Sequence, residues 1–136
     1  FERERTGRVR QASDKASPLV LVIEDDPDCR RDLGEAVEAM GYRSVTASDG
    51  VSGLDRLRRG GVAAVITDWQ MPGMDGVAVA RAVKDILERL PVLLVTGATH
   101  WRAGGEELRA CGVDERLFKP VNIKRLRQCL AELIAN

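Results

Sequence analysis

Acidic and polar side chains follow four apolar segments of this 136-residue sequence, and together they have the chemistry of a metal and phosphate site. Glu24 and Asp25 follow LVLVI, Asp68 follows VAAVIT, Thr96 ends PVLLVT and Lys119 follows RLF. Three carboxylates within about 5 Å repel by roughly 3 kcal/mol per pair at an effective dielectric near 20. A cation must offset that repulsion, and Mg²⁺ suits a shallow cluster of carboxylate oxygens.

Asp68 is the candidate nucleophile of this set. A carboxylate facing a metal and an ammonium can attack a phosphoryl group, because both cations absorb charge on the transferring oxygens. The Met-Pro-Gly turn after it leaves a carbonyl near Gln70 open to the metal, and the Thr96 hydroxyl can donate to a phosphoryl oxygen. Taken singly, an aspartate at a strand end is more commonly a helix cap, and we interpret Asp26 that way.

The elements that must position these residues alternate along the chain. Five short aliphatic runs are each followed by a segment of helical period, which predicts a strand-helix unit repeated five times. Runs 19–23 and 92–95 are apolar on both strand faces, as in central strands covered by helices on both sides. In such a doubly wound parallel sheet, ligands bind at the carboxyl ends of the strands, where the candidate residues stand.

Helix boundaries are also readable in the sequence. Asp26, Asp49 and Asn122 are predicted N-caps, and glycines 41, 60 and 61 follow the first two helices. The last helix carries a stripe that we expect to face the core, formed by Ile123, Leu126, Leu130 and Leu133.

Composition limits the function classes. Hydrophobic residues make up 44% of the chain and charged residues 31%, with a net charge of +0, so no global field attracts nucleic acid or a membrane surface. Three unpaired cysteines, no apolar membrane span and no signal-like start favour the cytoplasm, with half-buried or buried thiols. Residues 1–17 read as a linker or tail and 18–136 as one domain. We interpret the only histidine, His100, as a surface residue.

As a set, these motifs resemble the receiver domains of two-component response regulators over residues 18 to 135. VIEDD, DWQMPGMDG, LLVTG and FKP occur in that family's order and spacing. The resemblance implies an α/β fold, a (βα)5 doubly wound parallel sheet of flavodoxin type with strand order 2-1-3-4-5. It also implies that Asp68 accepts a phosphoryl group from a phosphohistidine on a sensor histidine kinase or a histidine phosphotransfer protein.

Carried over by position, the resemblance assigns the site residues. Asp25 and Asp68 are expected to bind Mg²⁺ directly, Glu24 through water, and the Gln70 backbone carbonyl as a further ligand. Lys119 is expected to bridge to the phosphoryl group, with a cis peptide bond to the following proline.

Two positions depart from the usual receiver pattern. Receivers carry Tyr or Phe three residues before the lysine, as a switch coupled to the threonine, and this chain has Arg116 there. Our hypothesis is that Arg116 alters or replaces the switch. Val121 stands where many receivers have Phe, which is similar to receivers fused to hybrid histidine kinases. The chain opens at Phe1 rather than Met, so we expect a receiver cut from the C-terminal end of such a kinase.

Alternatives stay open from the sequence alone. A free-standing single-domain regulator is the nearest one. A pseudo-receiver that binds partners without phosphorylation is another, and Arg116 supports it. A Mg²⁺-dependent phosphatase is a third, although such enzymes want a second acid at the position of Gln70. Direct DNA binding and membrane contact are not expected, and a homodimer is possible.

Overall fold

The structure, a computed structural model, describes residues 17–97 and 105–135. Strands and helices alternate throughout: β1 Leu19–Ile23, α1 Pro27–Ala39, β2 Arg43–Ala47, α2 Gly50–Arg58, β3 Val62–Asp68, α3 Gly76–Ile86, β4 Val92–Thr96, α4 Gly105–Ala110, β5 Glu115–Phe118 and α5 Ile123–Ala135. His100 and the predicted linker up to residue 16 lie outside the described residues. Among the described helices, none is long and apolar enough to cross a membrane.

The five strands form one parallel sheet in the order β2-β1-β3-β4-β5. The chain leaves β1 toward β2 and then crosses back to place β3 on the other side of β1. This reversal opens a crevice between the carboxyl ends of β1 and β3, where ligands bind in open α/β sheets. The predicted fold class and strand order are confirmed.

Helices cover both faces of the sheet, so the central strands are apolar on both sides. In β1, Leu21 packs with α2 and α3 in one apolar cluster, whereas its neighbours Val20 and Val22 pack with α1 and α5 in the other. All five β1 residues are buried. Each fully buried aliphatic side chain stabilises the fold by about 1.5–3 kcal/mol, which offsets the cost of gathering acids at one edge.

The predicted helix caps are confirmed. Asp26 accepts a hydrogen bond from the Cys29 amide at 3.3 Å, Asp49 accepts one from Ser52 at 2.8 Å, and Asn122 accepts one from Arg125 at 3.0 Å. The glycines that follow α1 and α2 have positive φ angles, 99° at 41 and 84° at both 60 and 61. These conformations favour glycine, which explains why the helices end there.

One residue of the predicted core stripe in α5 is misplaced. Leu126, Cys129 and Leu130 are buried, but Ile123 is 49% exposed. The helix begins at Ile123, five residues after β5 ends, so its first turn lies outside the layer that the strands cover. Helical period locates the apolar face of a helix, but it does not tell how much of its length has a sheet beneath it.

Candidate functional site

The loop after β3 fixes the position of Asp68. Asp68 ends the strand and is 8% exposed. The next amide, of Trp69, donates to the Val95 carbonyl at 3.1 Å, and the Gly76 amide donates back to the Trp69 carbonyl at 2.8 Å. A Cβ at Gly76 would lie 2.5 Å from the Asp68 carbonyl oxygen, so only glycine permits this closure. The motif thus closes a tight loop that holds Asp68 at the sheet edge.

Two further acids reach the same point from β1. Ile23 pairs with Thr67, so Glu24 lies beside Asp68 across the β1–β3 crevice. Glu24 is 1% exposed and Asp25 is exposed. One carboxylate oxygen from each of Glu24, Asp25 and Asp68 lies within 4.8 Å of the others. The sequence prediction that these three acids converge is confirmed.

Lys119 enters this cluster from β5. Its amide donates to the Thr96 carbonyl at 2.8 Å, which ties the end of β5 to the end of β4. Its Nζ lies 2.7 Å from Glu24 Oε1 and 3.4 Å from Asp68 Oδ1. The Lys119-Pro120 peptide bond is cis, as predicted. Lys119 is therefore placed between two of the three acids, nearer to Glu24.

Glu24 is surrounded by donors. Besides Lys119, the Asp26 amide donates to Glu24 Oε2 at 3.1 Å, and the Cys29 thiol also hydrogen-bonds the carboxylate. Burial raises the pKa of Glu24, but these hydrogen bonds, led by that of Lys119, outweigh it and lower the pKa to about 2. Glu24 is thus the most firmly ionised acid of the cluster.

Asp68 has the opposite electrostatic balance. Burial and the Glu24 charge raise its pKa to about 6, although Lys119 acts in the other direction. The pKa of Asp25 is raised too, by burial and by Glu24. Burial lowers the pKa of Lys119, but contacts with Glu24 and Asp68 outweigh it and hold the pKa above its ordinary value. Hence a proton entering the cluster goes to Asp68 before Glu24.

Thr96 and Gln70 flank the acids differently. Thr96 ends β4 with 1% exposure, one residue beyond Val95, which pairs with Asp68. Gln70 is exposed in the loop after β3. The placement of Thr96 beside the site fits the predicted hydroxyl donor, whereas the ligand role of the Gln70 carbonyl stays a prediction.

Arg116 occupies β5 at the position where the resemblance leads one to expect an aromatic residue. It is half-buried, and its guanidinium lies 5.0 Å from the centre of the Phe118 ring. Phe118 is 42% exposed and pairs with Thr96 in the sheet. The aromatic ring of this strand therefore lies two residues along, next to Lys119, with a cation stacked on it.

Cys29 is the site residue that sequence reasoning missed. It was expected only to be a buried or half-buried thiol; it is half-buried, and it also touches Glu24. Burial and the hydrogen bond to Glu24 raise the pKa of the thiol to about 11, so it remains a donor. The available signal was the predicted cap at Asp26, which starts α1 and turns its first residues back toward the acids.

The donor set fits a hard divalent cation. Carboxylate oxygens are the ligands that Mg²⁺ prefers, and it commonly takes one or two of them plus waters. Asp25 is exposed and Asp68 lies at the crevice, so both can offer an oxygen. Glu24 already accepts from three donors, which suits it to a contact through water.

The comparisons with known proteins agree with this geometry. Residues 20–131 match the family model of the response regulator receiver domain. The sensor histidine kinase RcsC of Salmonella typhi is 36% identical over 116 residues, which is 83% of this chain and 12% of that protein. The chemotaxis protein CheY of Pseudomonas aeruginosa is 31% identical over 117 residues, 84% of this chain and 94% of that protein.

A solved structure gives the same result. The response regulator TrrA of Thermotoga maritima, determined in complex with Mg²⁺ and BeF, has a TM-score of 0.77 and 29% identity, covering 85% of this chain and 98% of that chain. The chain spans about an eighth of the length of the RcsC relatives that it matches. The matched family model covers most of the chain, and this chain is a member of the response regulator receiver domain family of two-component systems.

Proposed function

We propose that this domain accepts a phosphoryl group from a phosphohistidine onto Asp68 in a two-component phosphorelay, with Mg²⁺ bound. The observation that carries the proposal is the convergence of three carboxylate oxygens within 4.8 Å, with the Lys119 ammonium 3.4 Å from Asp68. A cluster kept only for packing has no use for three acids at this cost.

Each residue has a distinct part in the transfer. An Asp68 carboxylate oxygen forms the new bond to phosphorus while the bond from histidine nitrogen to phosphorus breaks, and the electron pair returns to the imidazole. Lys119 and the Thr96 hydroxyl donate to the phosphoryl oxygens. Asp25, Asp68 and the Gln70 carbonyl hold the Mg²⁺, with Glu24 acting through water. When bound, Mg²⁺ supplies positive charge opposite the transferring oxygens.

The phosphoryl donor belongs to a sensor histidine kinase or a histidine phosphotransfer protein. Similarity to RcsC supports a receiver that belongs to a hybrid histidine kinase, with 18–136 as the domain, 1–17 as a linker or tail, and a cytoplasmic location. Similarity to CheY, most of whose length the chain covers, supports a free-standing regulator instead. A parent reading frame that continues upstream into a kinase domain would decide for the hybrid.

Intact-protein mass spectrometry tests the chemistry. The domain is incubated with acetyl phosphate and Mg²⁺, beside an Asp68→Asn variant and a sample with the metal chelated. We expect a gain of one phosphoryl group that requires Mg²⁺ and is lost in the variant. No gain, together with no beryllofluoride binding, would refute the proposal, since the second measurement does not depend on the lifetime of an acyl phosphate.

A second function is favoured by one observation, the Arg116 guanidinium stacked on the Phe118 ring. A pseudo-receiver would use this surface to bind a partner whatever the state of Asp68. It predicts the same partner affinity for the wild type and Asp68→Asn, with or without acetyl phosphate. An affinity that changes on phosphorylation of the wild type excludes it.

A further inference from the structure

Lys119 is held by Glu24 more closely than by the proposed phosphoryl acceptor. Its Nζ lies 2.7 Å from Glu24 Oε1, within hydrogen-bond distance, and 3.4 Å from Asp68 Oδ1. The Lys119 side chain is 28% exposed, whereas that of Glu24 is 1% exposed. A flexible four-carbon stem thus ends on a buried partner, so the partner sets where the ammonium lies.

Glu24 itself is fixed from three sides. Lys119 donates to Oε1, the Asp26 amide donates to Oε2 at 3.1 Å, and the Cys29 thiol supplies a third hydrogen bond. A buried carboxylate requires such partners, and with them it has little freedom to move. Asp26 in turn caps α1, so the start of that helix is tied to the same carboxylate.

We propose that Glu24 is a positioning residue for Lys119: its carboxylate keeps the ammonium beside Asp68 without letting it close on Asp68. The inference rests on the proposed function of Asp68 as phosphoryl acceptor. In the metal-free domain, Lys119 is thereby kept from neutralising the carboxylate that must bind Mg²⁺. When Asp68 carries a phosphoryl group, roughly two added negative charges draw the ammonium across the remaining gap.

The length of the Glu24 side chain is the critical variable. Glu24→Asp keeps the charge but withdraws the carboxylate by roughly 1.5 Å, one carbon–carbon bond. Lys119 then loses its hydrogen bond to residue 24 and pairs with Asp68, where it competes with the metal. A role of Glu24 through charge alone would survive this change.

The first experiment follows the lysine directly, in metal-free protein. In a sample with ¹³C-labelled lysine, Lys119→Met assigns the Lys119 Cε signal by its loss. We expect Glu24→Asp to shift that signal and to leave the other lysines unchanged. Glu35→Asp, the same substitution at an exposed position of α1, is the control and should shift none.

The second experiment is a double-mutant cycle on the dissociation constant for Mg²⁺ alone, followed by Trp69 fluorescence. Glu24→Asp is expected to raise the constant by about threefold or more, the lower range of coupling between contacting residues, and to change it little in the Lys119→Met background. An equal change in both backgrounds, or an unmoved lysine signal, would overturn the proposal and make Glu24 an aid to the metal alone.

A second pair of variants serves if Glu24→Asp does not fold. Cys29→Ala removes one donor to Glu24, and Cys29→Ser keeps one. The alanine variant is expected to shift the Lys119 signal and the serine variant to restore it, while equal spectra would overturn the proposal. None of these measurements needs a phosphoryl group. A wild type that shows the coupling but takes no phosphoryl group from acetyl phosphate would therefore refute the proposed function and not this inference.

Discussion

Replacing Asp68 by asparagine should make the metal-free domain more stable at neutral pH. Burial and the Glu24 charge raise the pKa of Asp68 from 3.8 to about 6, which means that folding makes its ionised form less favourable. A shift of about 2 units corresponds to roughly 3 kcal/mol in the free energy of unfolding. The amide of the Asp68→Asn variant carries no charge and avoids this cost.

Part of that gain is lost with the ion pair. Lys119 lies 3.4 Å from Asp68 and gives up this contact in the variant, although it keeps its closer contact to Glu24. We therefore expect a net stabilisation of about 1–2 kcal/mol at pH 7.5, smaller than the full linkage value.

The pH dependence gives the sign of the effect. Because the folded pKa of Asp68 is raised, its cost is fully present above about pH 6 and disappears as the pH falls below about 4, where the carboxyl is protonated in both states. The pKa of Glu24 is lowered, so its contribution is lost toward about pH 2, in both proteins alike. The advantage of Asp68→Asn should thus shrink between pH 7 and pH 4.

Urea unfolding with a chelator present, at pH 7.5 and pH 4.5, measures this difference. Asp85→Asn, at an exposed position of α3, is the matched control and should change stability by less than about 0.5 kcal/mol. Mg²⁺ at ten times its dissociation constant should stabilise the wild type by about 1.4 kcal/mol and the variant much less. A variant that is no more stable than the wild type at pH 7.5 without metal, or whose gain is the same at both pH values, would refute the reasoning.

Three further predictions concern the same site. Gly76→Ala should destabilise the domain by about 2 kcal/mol or more in urea unfolding, because its Cβ would meet the Asp68 carbonyl at 2.5 Å; Gly97→Ala, with no atom within 4 Å, should cost far less. Mg²⁺ binding should weaken about tenfold per pH unit below about pH 6, where Asp68 must lose a proton first, and a flat pH profile by Trp fluorescence would contradict this. Arg116→Tyr removes the cation over Phe118 and should change the β5 amide shifts caused by beryllofluoride, while leaving phosphorylation by acetyl phosphate intact; unchanged shifts would count against a switch role for Arg116.

Much of the fold follows from local signals in the sequence. Runs such as 19–23 are apolar on both faces, so they had to be central strands, and the predicted caps at Asp26, Asp49 and Asn122 mark helix starts that the structure contains. The convergence of Glu24, Asp25 and Asp68 followed from the rule that parallel strands bring their carboxyl ends to one edge.

The sequence alone determined which residues gather at the site, because strand ends and caps are encoded within a few neighbouring positions. Only the tertiary structure decided how they pair. Lys119 and Glu24 are 95 positions apart, and whether the ammonium lies 2.7 Å from Glu24 or from Asp68 depends on how β1, β3 and β5 pack. The exposure of Ile123 has the same origin, since a periodic stripe does not show where the sheet beneath it ends. Distances between elements are set by packing of the whole domain, and no local pattern contains them.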